Sequence, residues 1–372
     1  MLRKLLKNII LLVNLLFVIL LFVSGCASWL NPTEFTIIAI LGLGFPIFVV
    51  INILFVLWWL FCRKMLFLVS LISLLPFVHR YIDFSANNKT TPQNGTTIRI
   101  MSYNAHNFGL HEQNNEDRHK VMQEMTDVIN AQNLDIACFQ EFSNNNTYFQ
   151  VAKKLQSKRL KYKHTYYVNK AHDKYGYNVG LAIFSNYPII NTKNFLVEPT
   201  TVNTVIYCDI KINNDTIRVF NCHLQSNKFS DAEYRFIENV NGLKSDIYNK
   251  EKIKENRDEM LSVFRRMKDA YESRVKQAEL LCEQIKLSPY SVVVCGDFNE
   301  TQSSYVYNKI RKGLHDSNQL LHFGLGNTYR RFFPGIRIDY ILYSSQLRCT
   351  SCKVLNYDGS DHRPVVGEYV VQ

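Results

Sequence analysis

Three long apolar runs open the chain, and a mixed pattern of short alternations replaces them after residue 80. Residues 8–23, 35–61 and 65–78 are almost uniformly apolar. A helix needs about 20 such residues to cross a bilayer, and the third run is short and contains Pro76. Residues 1–84 are therefore predicted to be a membrane region with two or three transmembrane helices, the alternative being a buried helical hairpin. Residues 85–96, rich in Asn, Thr, Ser, Pro and Gly, read as a linker. Residues 97–372 then form one folded domain.

Within that domain the period switches repeatedly between two and about 3.6. Ile98 and Ile100 alternate with Arg99 and Met101, which predicts a first strand. Residues 115–133 carry a helical stripe of Val121, Met125, Val128 and Ile129. A strand follows at 134–139, then a helix at 148–158 and strands at 162–168 and 181–185. Residues 204–212 and 216–222 flank Asn213, Asn214 and Asp215, as a hairpin does. A polar, charged stretch at 229–256 reads as an extra helix or an insertion. Residues 260–285 are strongly helical, with Leu261, Phe264, Met267, Tyr271, Val275, Ala278 and Leu281 on one stripe. The apolar run Val292–Cys295 predicts a strand covered on both faces. A helix at 303–313 and strands at 336–343 and 365–371 complete the order. Strands alternating with helices predict an α/β layered fold.

Charge adds an orientation. The formal net charge is +11. Residues 1–80 hold six basic residues and one acid, giving +5, and the remaining +6 is too dilute to argue for nucleic acid alone. Arg3, Lys4, Arg63 and Lys64 flank the apolar runs, while the connection at 28–34 has an acid and no base. The positive-inside tendency puts these bases in the cytoplasm. Three crossings would then leave the domain on the outer side, and a third run lying only in the interface would reverse that. Val23-Ser24-Gly25-Cys26 resembles a lipoprotein processing site, which would lipidate Cys26 and still leave the domain outside. Cys349 and Cys352 form a lone C-x-x-C. Without a second pair a zinc site is disfavoured, and a redox pair or a disulfide stays open.

The chemistry gathers where strands end. Gly296 closes the central strand, and Asp297 and Asn299, two residues apart, project to the same side. Asn104, Glu141 and His223 also follow strand runs. Asp339 interrupts a strand interior, where an unpaired acid is costly. Asp361 and His362 adjoin at a loop-to-strand junction. Each has an ordinary alternative as a turn amide, a surface acid or a structural histidine. Arg330, Arg331 and Arg337, set among aromatics, are candidate substrate-binding residues. Carboxylate and amide oxygens suit Mg²⁺, with Mn²⁺ as the alternative. No nucleophile elbow or P-loop is present, so acyl transfer and nucleotide-driven chemistry lack support.

Six segments in order, SYNAHNFG, CFQEF, NCHLQS, CGDFNET, RIDYIL and SDHRP, resemble the endonuclease/exonuclease/phosphatase superfamily over residues 97–372. The whole chain resembles its membrane-anchored bacterial members. The resemblance implies a four-layer α/β/β/α sandwich of the deoxyribonuclease I type, here preceded by transmembrane helices, and a metal-dependent hydrolase of phosphodiester bonds acting by water attack on phosphorus. It implies metal ligation by Glu141 with Asn104, and by Asp361. Asp297 and Asn299 would orient and activate water, His362 would contact the phosphate with Asp339 fixing it, and His223 would be a second histidine. Nuclease-type action is favoured. A phospholipid or sphingomyelin phosphodiesterase, or an inositol-phosphate phosphatase, predicts the same central residues. A catalytically inactive, membrane-tethered binding module is the alternative of another class. The implied partners are a nucleic acid or a phospholipid headgroup and a lipid bilayer at the bacterial cytoplasmic membrane; no obligate protein partner is indicated.

Overall fold

The computed structural model describes residues 2–62, 64–80, 95–112, 114–145, 149–168, 178–195, 202–238, 250–318, 326–331 and 335–371. Arg63 and nearly all of the expected linker lie outside them.

The first apolar run forms α1 (Leu2–Cys26). The second is not one helix. It divides into α2 (Thr36–Leu43) and α3 (Phe45–Phe61), bent by 58°. Gly44 stands at the break, and Pro46, lacking an N–H, opens the next helix rather than continuing the last. The third run is a short helix, α4 (Phe67–Leu74), followed by a 3₁₀ segment over Leu75–Arg80 that includes Pro76. Among the described residues one helix, Lys4–Cys26, is by itself long and apolar enough to cross a membrane, and the bent pair passes as a second only if taken together. Polar side chains tie these helices. Asn14 Nδ2 donates to Ser70 Oγ at 2.7 Å, and Trp59 Nε1 donates to Asn14 Oδ1 at 3.0 Å. Phe77 packs on Leu21 and Phe45.

Among the described residues the remaining chain builds two six-stranded sheets. Its elements are β1 (Thr96–Asn104), α5 (Asn115–Ala131), β2 (Ile136–Asn144), α6 (Val151–Gln156), β3 (Tyr162–Val168), β4 (Asn178–Ser185), β5 (Ile189–Phe195), β6 (Val205–Ile212) and β7 (Asp215–His223). There follow α7 (Asp231–Glu238), α8 (Lys250–Lys286), β8 (Ser291–Asp297), α9 (Tyr305–Arg311), β9 (Leu314–Asp316), β10 (Asp339–Ser344), β11 (Arg348–Val354) and β12 (Val365–Val371). One sheet runs β11-β12-β1-β2-β4-β3, the other β5-β6-β7-β8-β10-β9.

Three apolar clusters explain the layering. Ile98, Ile136, Ile183, Val219, Val293 and Ile341 meet between the sheets. Met122, Met125 and Ile129 of α5 and Leu155 of α6 cover the outer face of the first sheet through Phe139 and Phe184. Val275, Ala278 and Leu281 of α8, with Val306 and Ile310 of α9, cover the second through Phe220 and Val294. Strands clothed on both faces are apolar throughout, as the Val292–Cys295 run is. Each sheet holds one parallel pair, β1 with β2 and β7 with β8. The C-terminal ends of β1, β7 and β8 therefore come out at one edge. β10 runs antiparallel to β8, so its first residue, Asp339, starts there, opposite Asp297.

Candidate active site

Gly296 makes the closest approach in this edge. Its φ is +153°, and a Cβ there would run into the carbonyl oxygen of Cys222, so only glycine lets β8 lie this close to β7. His223 and Asp297 thereby stand side by side in register. Asp297 Oδ1 accepts from the Asn299 N–H at 2.8 Å. Its other oxygen, Oδ2, is a focus: Asn104 Nδ2 donates to it at 3.1 Å, and His223 Nε2 and His362 Nε2 both lie at 3.7 Å. Asn299, at φ +51°, donates through Nδ2 to Leu224 O at 2.9 Å, which ties the loop after β8 to the loop after β7.

Glu141 reaches the same focus from the first sheet. The sequence predicts a strand that stops before it. The strand instead continues to Asn144 through a bulge, and Glu141 takes φ +48° within it. A bulge re-aims one side chain without ending the strand. Gln140 turns inward to Asn221 Oδ1 at 2.6 Å, while Glu141 stands a quarter exposed at the rim. Its Oε1 is 3.4 Å from Asn104 Nδ2 and 3.9 Å from His223 Nε2, and its Oε2 accepts from Asn107 Nδ2 at 3.4 Å. His106, Asn107 and Phe108 all have positive φ, which curls this loop beneath Glu141, and Phe108 anchors it against Phe139 and Phe142.

The third contribution comes from the C-terminal motif. His362 Nδ1 is 2.9 Å from Asp339 Oδ2, so the ring turns Nε2 toward Asp297. Ser360 Oγ donates to Asn104 O at 2.9 Å and accepts from His362 N at 3.1 Å, docking this loop on β1. The Tyr329 ring packs on His362 with centroids 4.8 Å apart. Burial alone would lower the His362 pKa, but the Asp339 and Asp297 carboxylates outweigh it and lift the value to about 10. Burial raises Asp297 to about 6, with His362 and His223 opposing the rise and Asp339 adding to it. The pair therefore rests as imidazolium and carboxylate at neutral pH.

The other expected residues stand elsewhere. Asp361 lies at the rim, 4.0 Å from His106 Nδ1 and 3.3 Å from Ser360 Oγ. Arg337, expected to bind substrate, is buried, ion-paired with Asp316 and stacked over Tyr340; it is a core residue and leaves the substrate-binding set. Arg330 is committed to the neighbouring loop through Asp358 Oδ1 at 2.5 Å and Ser360 O at 2.9 Å. Arg331 is exposed, its guanidinium 3.4 Å from the centre of the Tyr234 ring. Cys349 and Cys352 are both buried thiols.

Sequence reasoning passed over one residue that holds the edge together. Arg274 of α8, almost fully buried, pairs with Glu300 at 2.7 Å and donates to Gln225 O at 2.8 Å and Asn227 Oδ1 at 3.1 Å. One guanidinium thus clamps the loops that follow His223 and Asp297. The only local signal was an arginine beside the apolar stripe of α8.

The residues present fit a divalent cation. Asp297 and Asp339 each offer a carboxylate oxygen, and His362 would offer a ring nitrogen once deprotonated, all within 4.8 Å of one another. Glu141 adds carboxylate oxygens beside them, while Asn104 turns its Nδ2 to the cluster and its Oδ1 to the His106 N–H at 3.1 Å. Asp339 Oδ1 is buried without a hydrogen-bond partner, an acceptor that a hard cation or a donor would satisfy.

Residues 7–81 match a domain of unknown function. No curated protein matches the chain. Among solved structures, an endonuclease/exonuclease/phosphatase from Beutenbergia cavernae superposes with a TM-score of 0.53 at 15% identity, over 74% of this chain and 72% of that one. The human Nocturnin catalytic domain gives 0.49 at 20% identity, over 73% and 93%. An endonuclease/exonuclease/phosphatase family protein from Bacteroides thetaiotaomicron gives 0.49 at 17%, over 75% and 99%. The profile of the endonuclease/exonuclease/phosphatase family matches residues 101–362, well over half of the chain. The protein therefore belongs to the endonuclease/exonuclease/phosphatase family and is a metal-dependent phosphodiesterase-type hydrolase acting on phosphorus.

Proposed function

We propose that the protein is a membrane-anchored, nuclease-type phosphodiesterase whose cation is Mg²⁺ or Mn²⁺. The observation that carries this is the convergence of Asn104, His223 and His362 on a single oxygen, Asp297 Oδ2, with Glu141 alongside. Glu141 would hold the cation, joined by Asn104 with its amide turned so that Oδ1 faces inward, and with Asp361 at the rim as a further carboxylate. An imidazolium has no lone pair for a metal, so the charge on His362 favours a role toward phosphate oxygens over ligation. When bound, the cation would neutralise charge building on those oxygens. Asp297, with a pKa of about 6, is ionised at neutral pH yet close enough to it to accept a proton from an attacking water. Asn299 fixes its other oxygen through the backbone N–H. His223 and His362 would stabilise the added charge of the transition state. Asp339 holds His362 in one orientation and keeps it charged.

The apolar helices support anchoring by residues 1–84, followed by a catalytic domain over 97–372. α1 and α3 pack antiparallel, with Trp59 beside Asn14 and Phe45 beside Leu21. The third run starts after Lys64 and brings Phe77 back to the level of Leu21 and Phe45. That return favours three crossings and an outer-face domain at a bacterial cytoplasmic membrane, with Lys4, Lys7 and Lys64 at the opposite end. Protease added to intact spheroplasts should then digest the domain; digestion only after lysis would reverse the orientation.

The second chemistry, cleavage of a phospholipid headgroup, is favoured by the same anchoring, which keeps the site beside lipid. A panel of DNA, RNA, sphingomyelin and phosphoinositide, offered to the purified protein with Mg²⁺, separates the two. Preferred turnover of a polynucleotide supports the nuclease, and turnover of lipid alone overturns it.

A further inference from the structure

The apolar helices reach the segment that follows the catalytic aspartate. Ser303 Oγ donates to the carbonyl of Gly42 in α2 at 2.8 Å, and both residues are buried. The helix break explains why this carbonyl takes a partner from outside. In an unbroken helix the N–H four residues on would serve it. That residue is Pro46, which has no N–H. The Gly44 N–H is shared between Gly42 O and Leu41 O. A carbonyl has two lone pairs, so Gly42 O keeps room for a second donor, and Ser303 supplies it. Gly42 has no space for a side chain either, since a Cβ there would lie 2.6 Å from the Cβ of Ala27, in the turn after α1. The bend is thus pressed against the end of α1 where it presents this carbonyl.

From Ser303 the contacts run back to the active edge. Its one hydroxyl proton goes to Gly42 O, so in the 3.1 Å contact with Thr301 the threonine Oγ1 donates and Ser303 Oγ accepts. Hydroxyls chained in this way polarise one another. Glu300, the next residue back, is held by Arg274 at 2.7 Å, and its carbonyl accepts from Tyr340 Oη at 2.9 Å. Asn299 and Asp297 come next, joined by the 2.8 Å bond from the Asn299 N–H. The loop from Asp297 to Ser303 is therefore tied to its own domain through Glu300 and to the apolar helices through Ser303. We infer that Ser303 is a positioning residue for the reaction, fixing the loop that carries Asp297 and Asn299 to the helix bend at Gly42. The apolar helices thereby take part in catalysis through the placement of that loop. This inference rests on the role proposed above for Asp297 as the proton acceptor from water, and it holds whether or not the helices cross a membrane.

The test uses the full chain in detergent micelles with Mg²⁺ and bis(p-nitrophenyl) phosphate. Enzyme is kept in excess, so that the single-turnover rate constant at saturation reports chemistry and not the fraction folded. Ser303→Ala should lower that rate constant about 5–10-fold, the usual worth of one buried neutral hydrogen bond, and leave the half-saturation concentration unchanged. Gly42→Ala alters no residue of the catalytic domain. It should slow the reaction comparably, because its methyl pushes α2 off Ala27 and takes the carbonyl away from Ser303. The double variant should be no more than about twofold slower than the slower single one, because both changes break one bond. Ser303→Thr keeps the donor and should stay near the parent rate. Lys163→Gln, exposed on β3, should leave the rate unchanged. A parent rate in Ser303→Ala or in Gly42→Ala, losses that multiply in the double variant, or a Ser303→Thr protein as slow as Ser303→Ala overturns the link. A parent chain without metal-dependent turnover refutes the proposed reaction and the positioning role with it. Metal-dependent turnover that Ser303→Ala leaves untouched refutes the positioning role alone.

Discussion

Replacing Asp339 with asparagine should move the alkaline limit of activity. Asp339 and Asp297 push the His362 pKa up to about 10 against the lowering effect of its burial. That is roughly 3.5 units above an ordinary histidine, on the order of 5 kcal/mol in favour of the charged ring. Asp339 is the larger of the two charge contributions and also accepts the Nδ1–H bond at 2.9 Å. An amide in its place would keep the shape and lose the charge. Without the Asp339 charge, the burial that lowers His362 is opposed chiefly by Asp297, so the ring's pKa falls. A histidine raised on folding adds stability fully below its unfolded value of about 6.5, and that contribution is lost as pH rises through about 10. In Asp339→Asn the loss begins at lower pH. The kcat–pH profile should follow, its basic limb moving to lower pH and kcat at pH 9 falling by about tenfold or more. A bound cation lowers both limbs, so their separation is the quantity to read. The assay is single-turnover hydrolysis from pH 6 to 10.5, with the His362 ring followed by NMR in the metal-free protein. Asp339→Asn combined with His362→Ala should cost little more than His362→Ala alone, because the two act as one unit. An unmoved basic limb, or fully additive losses, would refute the coupling.

Arg274→Met should lower stability by about 3–5 kcal/mol, because it strands the Glu300 carboxylate in a fully buried place. Thermal unfolding of the full chain in detergent should show a drop of roughly 6–15 °C, with a substantial part recovered by adding Glu300→Gln; no recovery would mean that the pair itself is not what matters. Gly296→Ala should cost roughly 3–4 kcal/mol, since the new methyl meets the backbone of Cys222 rather than a side chain that can turn away. A soluble, fully active Gly296→Ala protein would contradict the tight β7–β8 approach.

The order of strands and helices was readable because each buried strand carries a continuous apolar run and each covering helix a stripe. The edge residues were readable because parallel strands deliver their C-terminal residues together, and the motifs sit at those ends. Other features depend on contacts remote in sequence. Strand β5 is largely polar and exposed, so alternation gave no sign of it, and β9 has only three residues. The C-x-x-C segment drew attention to sulfur chemistry, whereas it is strand β11, with both thiols buried and Cys349 and Cys352 packed in the inter-sheet core. Arg337 looks like a substrate contact beside Arg330 and Arg331 until Asp316 appears against it. Arg274 becomes visible only when α8 is laid across two strand-end loops. The bulge that re-aims Glu141 has no local signature either, although the glutamate itself was conspicuous after its strand.

The account stands most directly on hydrolysis of a simple phosphodiester, bis(p-nitrophenyl) phosphate, by the purified full chain. Turnover should vanish in chelator and return with Mg²⁺ or Mn²⁺. Glu141→Ala and Asp297→Ala should each lower kcat by about 10²-fold or more while circular dichroism stays unchanged. Undiminished turnover in chelator, or parent-level turnover by both variants, would contradict a metal-dependent reaction at the Asp297 edge.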